Sequence, residues 1–200
     1  GRRVGPAWMQ VVDLGHPVEL VECCPVPKFE RLILAAGESH LTLVGAYADG
    51  LRPVPELDGV PKHDGGVHAV AWATAAADDP CVAAVGAGVA TVHTLHPNSH
   101  DGPKCSSIRM PLESSARANS AAFLGGRSDR LAITGDDETC RFLRLPTADG
   151  APTVERTLTL RSAGVALRTH AREREQLMVA EDAGHVHFVD LRVGSARPSL

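Results

Sequence analysis

Four residues in one segment have the types that could bind a transition metal: His93, His96, His100 and Cys105. Imidazole nitrogen and thiolate sulfur are ligands that zinc prefers in proteins. The spacing H-x-x-H-x-x-x-H, however, matches neither the helical site of zinc proteases nor a finger built on C-x-x-C. A proline and an asparagine follow His96, which favours a loop there. The pattern therefore predicts a solvated loop cluster, and no metal-binding residue is expected.

Two further groups have the residue types of acid–base catalysis. Adjacent acids occur at 78–79 and 136–137, and His185 and His187 lie two residues apart. Paired carboxylates act as general acid and base only within a cleft that also holds their partners. Both acid pairs stand in turns, where acids are common because they bond to nearby backbone amides. The two histidines are expected to pack or to face solvent, so no catalytic residue is predicted.

A glycine-containing turn at 86–88 resembles the start of a dinucleotide-binding loop. That fingerprint needs a third glycine, but Thr91 occupies its position, and a helix must follow to place its N-terminus at the pyrophosphate. The residues that follow are β-prone instead. The sequence also lacks a G-x-S-x-G elbow and a P-loop. We therefore expect a tight hairpin turn, no cofactor-binding residues and no enzyme activity.

The composition limits the classes of partner. The 200 residues are 44% apolar and 22% charged, with a formal net charge of -4, which indicates a globular chain. Direct nucleic-acid binding is not expected, since it needs a basic face. No apolar run approaches the roughly 20 residues that span a bilayer, so membrane insertion is not expected either. The 5 cysteines, with no C-x-x-C spacing, favour reduced thiols in the cytosol or nucleus.

The elements that must position these residues are short strands. Residues 131–134 and 139–145 are β-prone runs joined by glycine and acidic residues, which is typical of a β-hairpin. The same pattern recurs with turns near residues 37, 86 and 181. Its units are about 45 to 49 residues long, the period of propeller blades. The turn residues aligned in this way are Gly37, Gly86, Gly135 and Ala180.

The remaining segments complete each unit with one strand before the hairpin and one after it. Strands are also predicted at 11–14 and 18–23, and the Pro- and Gly-rich stretch 48–66 is predicted to be irregular with one edge strand. Helical periodicity does not persist over three turns anywhere, although 114–123 and 171–178 could form a helical turn or two. Inner strands should be continuous apolar runs, because neighbouring blades cover both of their faces.

The hairpin at 131–145 resembles the end of a WD40 repeat. Its segment 136–145 follows the pattern D-x-T-x-R-[IVF]-W-D-L, with Leu143 and Arg144 where the family has Trp and Asp. The segment 188–191 matches that ending more closely. The resemblance implies these structural WD-repeat positions: Trp72, Gly135, Asp137, Thr139, Phe142, Asp182, Gly184, Phe188 and Asp190.

WD40 repeats fold as β-propellers, so the resemblance implies an all-β chain with about four blades of an expected seven, and hence a fragment. Residues 1–10 are expected to be a disordered or non-native N-terminus, and residues 11–200 the partial propeller. In the family, the turn acid bonds to backbone and polar groups of its own blade. Asp137 and Asp182 match that position.

Within the WD40 family, the chain is similar to the small WD-repeat nucleoporins of the Y-shaped outer-ring complex of the nuclear pore. The segments that carry this likeness are 176–191, 136–141 and 66–72. The resemblance implies a structural scaffold that supports nucleocytoplasmic transport of protein and mRNA. Its partners would be other outer-ring nucleoporins, in particular the large helical-solenoid subunit. Its location would be the nuclear envelope, with the kinetochore as a mitotic site.

Two alternatives remain open from the sequence. The first is another WD40 adaptor, such as a chromatin-associated protein or a ubiquitin-ligase receptor. The second is a metal-dependent propeller hydrolase. The fold by itself does not choose among them, because one fold serves many functions.

Overall fold

The computed structural model describes residues 10–54, 63–74, 79–96, 104–146, 150–170, 172–173 and 175–192. Within these ranges the chain forms fifteen β-strands in four antiparallel sheets and no α-helix. The predicted all-β fold class is therefore confirmed. Apart from Gln10, the predicted N-terminal segment 1–10 lies outside the described residues. No helix in the described part of the chain is long and apolar enough to span a membrane.

The first two sheets each contain four strands, ordered in space as they are in the chain. The first sheet comprises β1 Leu20–Cys23, β2 Leu32–Gly37, β3 His40–Tyr47 and β4 Gly50–Val54. The second comprises β5 Ala69–Trp72, β6 Cys81–Val85, β7 Val89–His96 and β8 Lys104–Pro111. The edge strand predicted within 48–66 is β4.

The third sheet again has four strands, whereas the fourth has three among the described residues. The third comprises β9 Ala118–Phe123, β10 Arg130–Gly135, β11 Thr139–Arg144 and β12 Thr153–Thr159. The fourth comprises β13 Gly164–Thr169, β14 Gln176–Glu181 and β15 Val186–Asp190. All four predicted hairpins are confirmed, and each occupies the middle of its unit as expected.

The hydrophobic core lies between the sheets, because the sheets pack against one another through their faces. The first strands of successive sheets are neighbours, with β1 beside β5, β5 beside β9 and β9 beside β13. Three apolar layers result, one for each pair of adjacent sheets. Their buried members include Leu34 and Val82 in the first layer, Val85 and Ile133 in the second, and Phe142 and Leu177 in the third.

The inner strand β9 explains one wrong prediction, the helical turn at 114–123. Its residues Ala118, Ser120, Ala121 and Ala122 are small and buried, because sheets on both sides approach it closely. Small residues at these positions reflect crowding between blades and not helix propensity. The helical turn at 171–178 is also wrong, since β14 begins at Gln176.

The strand predicted at 11–14 is wrong as well. Residues 10–19 contain no strand, and the first strand begins at Leu20, which lies opposite Ala36 of β2. Only the four residues of β1 have a pairing partner on β2. A β-prone run without a partner strand leaves its backbone groups to other contacts, which is why apolar character alone misled the prediction.

Two of the repeated glycines are required by close approach between chain segments. A Cβ on Gly86 would lie 1.9 Å from the carbonyl oxygen of Gly66, and one on Gly135 would lie 2.1 Å from that of Arg117. These separations leave no room for any side chain. Glu181 occupies the corresponding position at the end of β14, so the fourth unit aligns on Glu181 and not on Ala180.

The continuous burial predicted for inner strands holds for β6, where all five residues are buried. It fails for β14, which alternates between buried and half-buried residues. Leu177 and Val179 face the third sheet, whereas Met178 and Ala180 lie on the opposite face, which no sheet of the described residues covers. The difference therefore lies in the neighbours of β14.

Candidate interaction surface

The turn between β10 and β11 is held by the carboxylate of Asp137. It accepts hydrogen bonds from the Thr139 backbone N (3.3 Å) and hydroxyl Oγ1 (2.8 Å), and Arg141 lies 2.5 Å away as an ion-pair partner. Burial alone would raise the pKa of Asp137, but the bonds from Arg141 and Thr139 lower it below its usual value. The acid is thus an ionised turn-former whose acceptor atoms are engaged.

The other predicted positions of the first three units are structural. Trp72 is buried and its Nε1 lies 3.4 Å from the carbonyl oxygen of Glu22, which links the first two sheets. Phe142 is buried, and the guanidinium of Arg156 lies 5.3 Å from its ring centroid. Gly135 permits the close approach described above. These residues fix the blades relative to one another.

The predicted positions of the fourth unit lie nearer the surface. Asp182 is exposed, and its backbone N donates to the Ala163 carbonyl at 2.8 Å. Gly184 adopts a φ of 86°, which favours glycine in the turn. Phe188 is 51% exposed, and Asp190 pairs with Arg192 at 2.8 Å. The buried acid of this unit is therefore not one of those predicted from the sequence.

Glu181 is that buried acid, and its side chain is fully shielded from solvent. Its carboxylate accepts hydrogen bonds from the Arg161 backbone N and the Ser162 hydroxyl, both at 3.1 Å. The Nε2 atom of His187 also bonds to it, and His185 Nδ1 lies 3.8 Å away. Burial by itself would raise the pKa of Glu181, but the bonds from His187, Ser162 and the Arg161 backbone lower it.

Glu181 therefore ties the β12–β13 loop to the β14–β15 hairpin. The sequence carried one signal of this role, because an acid stands where the other three units have glycine. A long acidic side chain at a position otherwise reserved for close approach must find a space of its own. Here it fills that space with charge-assisted hydrogen bonds, which are stronger than neutral ones.

The histidines and cysteine first considered for metal binding do not converge. His93 is buried and bonds to Ser107 Oγ (2.8 Å) and Thr91 Oγ1 (3.1 Å), whereas His96 bonds to Asp79 and Ser106, each at 2.9 Å. His100 lies outside the described residues. Among the residues that the structure describes, no group of three metal-ligating side chains forms. Burial, with a small contribution from His63, lowers the pKa of His93 to about 4.

A cleft of about 280 Å³ lies between the outer strands of the second and third sheets. We call it the β8–β12 cleft. Met110, Pro111 and Leu112 line its second-sheet side, and Leu143 and Val154 line its third-sheet side. Three charged residues also border it: Arg109, Arg141 and Glu113. This combination of an apolar lining and few charges is typical of binding sites.

A second cavity, of about 240 Å³, lies where the inner strands of all four sheets end. Its polar lining residues include Glu22, Cys23 and Arg168. Cys23 is exposed whereas the adjacent Cys24 is buried, as expected for neighbours on one strand. The Arg168 guanidinium donates to the Leu167 carbonyl at 2.8 Å. The cavity is a segment of the space around which the sheets are arranged.

Comparisons with known proteins place this fold. No known family model matches the chain, and no curated protein matches it. Its structure is similar to that of Sqt1 from Chaetomium thermophilum, with a TM-score of 0.65 and 16% identity over 87% of this chain and 44% of that one. It is also similar to a chain of the Mitotic Checkpoint Complex, with a TM-score of 0.64 and 13% identity over 92% and 51%.

A further Sqt1 structure, bound to the N-terminus of the ribosomal protein L10, has a TM-score of 0.66 and 16% identity over 88% of this chain and 47% of that one. The chain spans about half the length of the solved structures that it matches. Together with four successive antiparallel sheets packed through their faces, this likeness defines the fold as a partial WD40-type β-propeller. The four sheets are its blades.

Proposed function

We propose that the chain is part of a protein-interaction scaffold and not of an enzyme. The observation that carries this proposal is the β8–β12 cleft, an apolar groove between two blades that are held rigid by buried inter-sheet cores. Exposed apolar side chains occur elsewhere on the blades as well, among them Tyr47, Val154 and Val186. A rigid propeller offers such surfaces for docking without exposing free sheet edges.

More specifically, we propose a structural subunit of the outer ring of the nuclear pore complex, acting in transport of protein and mRNA. Support comes from the sequence likeness of the fourth unit, including β14, and of the β10–β11 hairpin to WD-repeat nucleoporins. The proposed partner is the large helical-solenoid subunit of the same complex. The proposed location is the nuclear envelope, with the kinetochore as a mitotic site.

Proximity labelling and affinity capture test this assignment. The polypeptide that carries this chain, tagged and expressed at its native level, should enrich outer-ring nucleoporins and give a punctate nuclear rim. Diffuse staining with no enrichment of these subunits would reject the nucleoporin assignment. Chemical cross-linking should then place the helical-solenoid subunit on the outer blade surfaces.

A second candidate is an adaptor that captures an extended segment of another protein. The observation that favours it is the likeness to Sqt1, which has been solved bound to the N-terminus of a ribosomal protein. A chromatin-associated adaptor and a ubiquitin-ligase receptor belong to the same class. The capture experiment separates this candidate from the first, because its partners would be soluble clients and not pore subunits.

A further inference from the structure

The β8–β12 cleft has the form of a groove for an extended chain. β8 is the edge strand of the second sheet, and β12 is the edge strand of the third. Its floor is apolar, since Met110 and Leu143 are only 3% and 4% exposed, whereas Val154 is 47% exposed at its opening. None of the described residues that line the cleft is aromatic. Aliphatic side chains therefore suit it better than nucleobases or flat cofactor rings, which need stacking partners.

The two arginines of the cleft differ in their freedom to bind a ligand. Arg141 is only 12% exposed and pairs with Asp137, which is itself held in its turn. Arg109 is 53% exposed, and its partner Asp64, at 2.8 Å, is 72% exposed. Exposed ion pairs contribute little stability, so exchange of Asp64 for another carboxylate costs little. Arg109 is thus the exchangeable cation beside an apolar floor.

We propose that the β8–β12 cleft binds an extended peptide segment of a partner protein, with an aliphatic side chain against Met110 and Leu143 and a Glu or Asp carboxylate on Arg109. This proposal rests on the interaction role proposed above and names its site and the chemistry of its ligand. Charge complementarity supports the acidic residue, because the bound peptide would shield its ion pair with Arg109 from water and so strengthen it.

Fluorescence anisotropy tests the proposal with a defined probe. The probe is a fluorescein-labelled nonapeptide with alternating leucines and glutamates. One control peptide carries lysines in place of the glutamates, and another carries serines in place of the leucines. The protein is the 200-residue chain, used at concentrations where light scattering shows a monomer. Saturable binding of the acidic leucine peptide alone is the expected result.

Variants of the chain assign the binding to the cleft. Arg109→Glu should weaken binding at least about fivefold, the scale of one exposed charge pair. Its matched control is Arg52→Glu, since Arg52 is 57% exposed and pairs with the 67% exposed Asp49. Val154→Glu should abolish binding, whereas Val165→Glu, at a site of similar exposure, should not. Circular dichroism checks that all four variants fold.

Three results would overturn the proposal. These are the absence of saturable binding, equal binding of the lysine peptide, and loss of affinity with the control variants to the same degree. Self-association that Val154→Glu abolishes would instead identify a second copy as the occupant, and would also overturn it. Affinity capture keeps the two proposals separate: a partner enriched equally by the parent chain and by Val154→Glu supports the scaffold role even if the peptide fails to bind.

Discussion

At the scale of single residues, the fourth blade depends on a buried carboxylate. Glu181 joins two loops through donors from Arg161, Ser162 and His187. A buried acid is tolerated only when such partners replace its lost hydration. The equivalent turn of the third blade instead uses Asp137, which is partly solvated. The same architectural task is therefore done by acids at two different turn positions.

Replacement of Glu181 should reveal this role in stability. We expect Glu181→Gln to lower the free energy of unfolding by about 1 to 3 kcal/mol, because the amide retains the shape but loses the charge-assisted bonds. Urea unfolding followed by circular dichroism measures the change. The neighbouring exposed acid supplies the control, and Asp182→Asn should change stability by less than about 0.5 kcal/mol. Equal effects of the two substitutions would contradict the assignment.

His93 should make stability depend on pH. Its pKa falls from 6.5 to about 4 in the folded chain, chiefly through burial. Above pH 6.5 neither state binds the proton, but between 6.5 and 4 the unfolded chain binds a proton that the folded chain does not. The free energy of unfolding should therefore fall by up to about 3 kcal/mol as the pH drops through this window.

Urea titrations at pH 7, 5.5 and 4.5 measure that loss. The variant His93→Gln should show a shallower dependence, because it removes one of the groups that take up a proton on unfolding. His63, whose pKa burial also lowers, should account for part of the remaining slope. An unchanged slope in His93→Gln would show that other groups control the acid response.

At the scale of the elements, each blade is set by the path of the chain that enters it. Gly86 and Gly135 sit at the ends of middle strands, directly against the carbonyl oxygens of the segments that precede the inner strands β5 and β9. Close approach there brings successive inner strands to a common radius. The repeat period seen in the sequence therefore reflects a steric requirement of the blade.

Gly135→Ala tests that requirement. Its Cβ would lie 2.1 Å from the Arg117 carbonyl oxygen, so the third blade must shift, and we expect a loss of at least about 2 kcal/mol in unfolding free energy. Gly184→Ala is the matched control, because that glycine has a φ of 86° but open space around it. Backbone strain alone should cost about 1 kcal/mol there. Thermal melts of both variants decide whether contact or strain dominates.

At the scale of the whole molecule, the fourth sheet carries an apolar face that no described sheet covers. Val186 is 56% exposed and Phe188 is 51% exposed, and they lie opposite Ala180 and Met178 of β14. A contiguous apolar face of this kind favours association. The same face of the first three blades is buried against the next blade.

We therefore expect the 200-residue chain to self-associate as its concentration rises. Val186→Lys should lower the sedimentation-average mass at a given concentration, because it places a charge on the face of the fourth sheet. Val154→Lys, at an exposed valine between two blades, serves as the control and should leave association unchanged. A chain that stays monomeric up to high concentration would refute the expectation.

Much of the fold could be predicted because local sequence carries it. Hairpins such as β10–β11 need only β-prone runs and a turn, and their repetition gives the number of blades. The misassigned segments fail for the opposite reason. Residues 118–123 resemble a helix former because crowding by two other blades, which are distant in sequence, selects small side chains. Residues 11–14 look like a strand but have no strand to pair with.

The sequence by itself determined the all-β class, the repeating unit and the acid of the third turn, because these depend on neighbours within a few residues. Only the tertiary structure decided that Glu181 is buried among donors from another loop. It also brought β8 and β12, which are far apart in the chain, together as the walls of one cleft. Contacts between blades join residues more than 20 positions apart, and no local pattern encodes such distances.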